Sequence, residues 1–152
     1  MSPTEKVTKR SLFDVIGGLV RNEIENSEQL NIARSLVRGL ALRPEEIDIL
    51  FEMFEEKHRE FKDTGDISTT LFVPPTGLSF SQLILLLIKR VESTDQLFVL
   101  GWVLSDAVLP VNSKREMEAI ADAFEEKTGE FEMSYLLADV PDELRRLAAN
   151  LP

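Results

Sequence analysis

The sequence predicts an all-α fold: a helical bundle of two tandem three-helix repeats, about 11–61 and 79–131, plus a short C-terminal helix. Three observations carry this reading. Apolar residues recur at helical spacing along most of the chain, no stretch alternates long enough to demand a sheet, and the middle of the sequence is written twice. Ile24–Leu30 (IENSEQL) returns as Val91–Leu97 (VESTDQL), and Phe54–Phe61 (FEEKHREF) returns as Phe124–Phe131 (FEEKTGEF). The second pair is displaced slightly farther than the first, which an insertion around Val111, Asn112 and Ser113 explains.

The first helix opens at Ser11 with Asp14, a capping-box start, and carries Leu12, Val15, Ile16, Leu19, Val20 and Ile24 on one face. Gly17 and Gly18 lie inside it and suggest close packing. Asn26 and Ser27 punctuate. A second helix follows with Leu30, Ala33, Val37, Leu40 and Ala41 inward, and with Asn31, Arg34, Ser35 and Arg38 expected to be exposed. Pro44 suits a first helical position, and Glu45 and Glu46 favour the positive end of a helix dipole, so the third helix begins there and reaches about Phe61.

Residues 62–78 break the periodicity with Gly65, Pro74, Pro75 and Gly77 and form the linker between repeats, with Leu71, Phe72 and Val73 expected to tuck against the bundle. Ser79 with Gln82 restarts the pattern, Ser93 and Thr94 punctuate again, and Ser113 with Glu116 caps the last repeated helix. A closing helix from near Pro141 carries Leu144, Leu147 and Ala148.

On a helical wheel Ile47, Leu50, Phe51, Phe54 and Phe61 share one arc, as do Met117, Ile120, Ala121, Phe124 and Phe131; these are core stripes. Opposite them, Asp48, Glu52, Glu55 and Glu56 correspond to Glu118, Asp122, Glu125 and Glu126, giving two acidic stripes. The middle helices differ more. Leu97–Leu104 is apolar all round, which places it at the centre of the bundle or, alternatively, in an oligomer interface. Gly101 beside Trp102 permits a close helix contact.

At 152 residues the chain, 1–152, suits one domain. It is 43% hydrophobic and 29% charged, the profile of a soluble globule. A net charge of −10 argues against nucleic acid or an anionic membrane as the main partner, because phosphate contacts would be repulsive. Cysteine is absent, which excludes disulfides, thiolate nucleophiles and zinc–thiolate sites. The first residues lack the apolar run of a signal peptide, and Leu83–Ile88 and Leu97–Leu104 are too short to span a bilayer, so a cytoplasmic protein is expected.

Chemistry is sparse. His58, the single histidine, lies on the core arc with Thr128 at the matching place, and both suit a structural role near a helix end. Glu55 and His58 have the spacing of a di-iron bundle, but such a site needs a second pair and two further carboxylates. Asp63–Ser68 has the flavour of a calcium loop, yet Lys62 and Leu71 fall on ligand positions, so it reads as a turn. No catalytic constellation and no cofactor motif is recognisable, and an enzyme is the least expected class.

Asp106 ends the second middle helix, and the loop after it leads to a helix bearing Glu116, Glu118 and Asp122. This acidic interhelical loop resembles those of the tellurite-resistance TerB-like helical domains, which are also internally repeated. The resemblance implies divalent-metal binding, with Asp106 and Glu116 as candidate ligands. Ala107 stands where such loops carry glycine, and Gly39 where the first repeat would need an aspartate.

Three function classes follow. The first is a non-enzymatic helical protein–protein interaction module whose acidic repeated face, Glu52, Glu55, Asp122 and Glu125, meets a basic protein partner, with homodimerisation through the second repeat left open. The second is a divalent-metal-binding bundle. The third is an acidic DNA-mimic inhibitor of a nucleic-acid-binding protein.

Overall fold

The computed structural model describes residues 9–68, 72–132 and 137–152, and among them every regular element is a helix. In chain order these are α1 (Leu12–Asn22), α2 (Ser27–Gly39), α3 (Pro44–Asp63), α4 (Phe80–Arg90), α5 (Thr94–Asp106), α6 (Lys114–Glu130) and α7 (Asp139–Ala148). None of them is long and apolar enough to cross a membrane.

Five helices begin in the same way. Ser11, Asn26, Ser79, Ser93 and Ser113 each accept, through the side chain, the backbone N–H three residues on, satisfying a donor that no helical carbonyl can reach. At Ser79 the return bond is present too, with the Gln82 side chain accepting the Ser79 N–H at 2.9 Å. The Ser11 and Ser113 caps are one-way instead. Asp14 is a methylene short of a capping-box glutamate, and Glu116 is committed to Ser81. Gln29 and Gln96, both buried, accept the N–H of Glu25 and Glu92 at 2.7 and 2.8 Å and so staple the α1–α2 and α4–α5 turns alike. The third helix stops at Gly65, whose φ of 81° is open to glycine at little cost, while the Asp66 N–H folds back onto the Phe61 carbonyl at 2.8 Å.

The core runs through all seven helices, and α2 lies against α5 at its centre. α1 packs on α5 and α4 packs on α2, so each outer helix reaches the other half's middle helix. α3 covers α1 and α2, α6 packs on α4, and α7 packs on both α5 and α6. Phe54 of α3 and Phe124 of α6 are the largest fully buried side chains. α5 is central, as its all-round apolar pattern requires, and only Phe98 and Trp102 among its large side chains stay half-buried.

Two helix contacts depend on glycine. A Cβ on Gly39 would lie 2.5 Å from Leu83 Cδ1, and one on Gly101 would lie 3.2 Å from Phe124 Cζ. Gly17 and Gly18 do not have this role. A Cβ on Gly17 would meet Leu50 at 3.9 Å and one on Gly18 would meet Arg10 at 3.7 Å, ordinary van der Waals distances.

The polar face expected on α2 is partly covered. Asn31 and Ser35 are 6% and 2% exposed because the connection after α3 lies over them. The Asn31 amide donates to the Ser68 carbonyl at 3.3 Å and the Ser35 hydroxyl to the Phe72 carbonyl at 2.6 Å. Within that connection Phe72 packs under the Arg90 guanidinium, 4.3 Å from its ring centre, and Pro74 is buried. Val73, expected to tuck inward, is 56% exposed instead, since neighbouring residues of an extended segment point to opposite sides. Leu71 lies outside the described residues.

Candidate functional surface

The acidic residues of α3 and α6 end in different situations. All four of Asp48, Glu52, Glu55 and Glu56 are exposed on α3, and none of them takes part in an ion pair among the described residues. Glu55 is near enough to Arg34 of α2 for its charge to support that guanidinium. Burial nevertheless pushes the Arg34 pKa down, and the like charge of Arg38 adds to the effect.

On α6 two of the four corresponding carboxylates, Asp122 and Glu125, are occupied, while Glu118 and Glu126 are exposed and take part in no ion pair among the described residues. Arg145 of α7 donates to Asp122 Oδ1 at 2.8 Å and to Glu125 Oε1 at 2.7 Å. The hydrogen bonds to Glu125 and then to Asp122 push the Arg145 pKa upward. Both carboxylates thus serve the α6–α7 contact, and the two acidic stripes matched in sequence differ at these two positions. Lys127 and Lys57, by contrast, remain equivalent. Each approaches a glutamate three residues on at 3.8 Å and lies over a phenylalanine ring, Phe131 and Phe61 respectively.

One residue of the α3 surface goes unnoticed when only charges are read. Ile49 is 47% exposed, one of the few large apolar side chains turned to solvent. It stands four residues after Glu45, three before Glu52 and seven before Glu56, so all three carboxylates share its face of the helix. The signal was in the sequence, as an isoleucine opposite the core arc of an amphipathic helix.

Asp106 and Glu116 are not brought into a common ligand set. Asp106, at the end of α5, borders a cleft beside α1, and its carbonyl accepts the Arg10 N–H at 3.1 Å. Glu116 accepts the Ser81 hydroxyl at 2.8 Å and ties the start of α6 to α4. Among the described residues no three His, Asp or Glu side chains gather as a metal-binding group. His58 is half-buried on α3, whereas Thr128 is 2% exposed and donates its hydroxyl to the Glu125 carbonyl at 2.7 Å.

No protein-family model matches the chain, and no curated protein or solved structure matches it either.

Proposed function

We propose that the chain is a protein–protein interaction module whose docking surface is the outer face of α3, presented to a basic partner. The observation that carries this reading is Ile49, an exposed apolar side chain flanked by Glu45, Glu52 and Glu56 on one side of its face of α3, at 20 residues the longest helix among the described residues. A desolvated apolar anchor inside a charged rim is how the energy of an interface is commonly concentrated, the rim acting on orientation and association rate. Among the described residues none of the carboxylates around Ile49 is held in an ion pair; Glu45 only adds its charge to the support of the exposed Arg43, and Glu52 and Glu56 are available to a cation outside the chain. Asp122 and Glu125 are assigned a structural role here because Arg145 already holds them.

The tandem duplication, with units 11–61 and 79–131, belongs to the same proposal. The support for it is that α1 and α4 are each 11 residues long and α2 and α5 each 13, and that α1 contacts α5 as α4 contacts α2. In this arrangement α7 supplies an arginine to α6, whereas among the described residues no equivalent helix lies between α3 and α4. The first unit keeps all four of its stripe carboxylates out of ion pairs among the described residues, whereas the second keeps only Glu118 and Glu126 so.

The test is capture from native host extract at moderate salt, comparing the natural chain with two variants. One carries Ile49→Ala with Glu52→Lys, and the other carries Asp122→Lys with Glu125→Lys. A stoichiometric basic protein retained by the second variant and lost by the first is the expected result. Equal retention by both would remove α3 as the docking surface.

A further inference from the structure

We propose a second site, independent of the α3 surface, in the cleft between α1 and the end of α5, and assign it to a small basic amino acid such as arginine. The cleft has a volume of about 330 Å³ and is bordered by Arg10, Gly18, Asn22, Glu23, Trp102 and Asp106. That volume lies at the lower end of what small-ligand pockets provide and exceeds the bulk of a single amino acid. Its charges set the ligand class. One guanidinium and two carboxylates border it, and among the described residues none of the three takes part in an ion pair.

A basic α-amino acid carries the complementary set, one carboxylate and two cations. Its carboxylate matches Arg10, which offers a planar fork of donors for two oxygens. Its α-ammonium matches Asp106, and its side-chain cation matches Glu23, with the Asn22 amide available to either. Trp102 supplies a flat wall on which a guanidinium can stack. The indole is steadied by the Phe98 ring, stacked at 5.9 Å between centres.

The cleft is also held in shape by backbone. The Arg10 N–H donates to the Asp106 carbonyl at 3.1 Å, and the Val108 N–H donates to the Arg10 carbonyl at 2.8 Å. The two residues meant to hold the amino and carboxyl groups are therefore fixed to each other by one main-chain bond, with a second between Val108 and Arg10 beside it, and neither bond consumes their side chains. Gly18 keeps the wall low beside Arg10, since a methyl there would project to 3.7 Å from the guanidinium. A ligand finds these groups placed in advance, which lowers the ordering cost of binding.

Trp102 is the only tryptophan of the chain and therefore reports directly on the cleft. The full chain is titrated with L-arginine while its fluorescence is followed, and the same titration is repeated by calorimetry. Saturable binding is expected below about 10 mM, with agmatine, which lacks the carboxylate, and citrulline, which lacks the side-chain charge, each about tenfold weaker. Arg10→Gln is expected to weaken arginine about tenfold and to erase the preference over agmatine. Glu23→Gln, an exposed change after α1, is expected to erase the preference over citrulline; circular dichroism of both variants checks the fold. No saturable heat or fluorescence change with arginine overturns the proposal, as does binding that Arg10→Gln and Glu23→Gln both leave unaltered.

Discussion

The Asp66 carboxylate closes on Ser27 with two bonds, accepting its backbone N–H at 3.0 Å and its hydroxyl at 2.8 Å. Ser27 is the first residue of α2, so a carboxylate outside the helix serves as a second cap beside Asn26. The bond reaches across 39 residues and fixes the start of the linker against the first unit. Asp66→Ala is expected to lower stability by about 1–2 kcal/mol, the range of a lost helix cap and a buried hydrogen bond. Urea unfolding measures this, and Asp66→Asn is expected to retain part of the loss because its amide oxygen can still accept.

Gly39 and Gly17 give opposite expectations from the same substitution. A methyl on Gly39 would come within 2.5 and 2.8 Å of the two Leu83 methyl carbons, which are fully buried and have nowhere to retreat. Gly39→Ala is expected to cost about 1–3 kcal/mol through overpacking. Gly17→Ala meets nothing closer than 3.9 Å and removes a flexible residue from a helix interior, so it is expected to gain about 0.5–1 kcal/mol. Thermal unfolding of the two variants checks the contrast. In the double variant Gly39→Ala with Leu83→Ala, the measured cost is expected to fall below the sum of the single ones.

These elements also show what local reading can reach. Helix starts, the core arcs and the central place of α5 follow from spacing and cap chemistry, because each depends on residues within a turn or two of one another. The burial of Asn31 and Ser35 was hidden for a different reason. Two polar side chains on a polar face read as solvent-exposed unless the connection that lies over them is already placed. Arg145 is the same kind of case for the candidate site. Nothing near Asp122 or Glu125 in the chain announces an arginine arriving from α7, so the two acidic stripes look equivalent until α7 is docked. Ile49 was legible from the wheel but carries no charge to draw the eye.

Arg145 ties α7 to α6 through an exposed, forked pair, and its energetic weight is correspondingly modest. Arg145→Met keeps the stem and removes both bonds, leaving Asp122 and Glu125 as like charges one turn apart. The expected loss is about 0.5–1 kcal/mol at low salt, shrinking as salt screens the pair. The pH behaviour follows from the direction of its shift. A base whose pKa is raised in the fold contributes stability that is fully present below its unfolded value and is lost only as pH climbs through the folded one. For Arg145 that window lies in strong alkali, so the difference between the natural chain and Arg145→Met is expected to hold level from neutral pH to mild alkali. Paired thermal melts in that range measure it.

Arg34 is a charged side chain whose environment works against it. Its Nε is buried without an acceptor among the described residues, burial lowers its pKa, and Arg38 adds like charge one turn away. An unsatisfied buried donor costs about 1–3 kcal/mol, and the attraction of Glu55 offsets part of that. Arg34→Met keeps an unbranched apolar stem in the same space while removing the donor and the repulsion. The variant is expected to be more stable by about 0.5–1 kcal/mol, or roughly 1–4 °C in melting temperature for a chain of this size. The same reasoning sets a control. Arg38→Met removes an exposed guanidinium that lies 5.5 Å from the centre of the Phe51 ring, so it also relieves Arg34 but forfeits a favourable cation–ring contact. It is expected to leave the melting temperature close to that of the natural chain. A melt in which Arg34→Met is the less stable of the two would show instead that Glu55 and the arginine stem outweigh the buried donor.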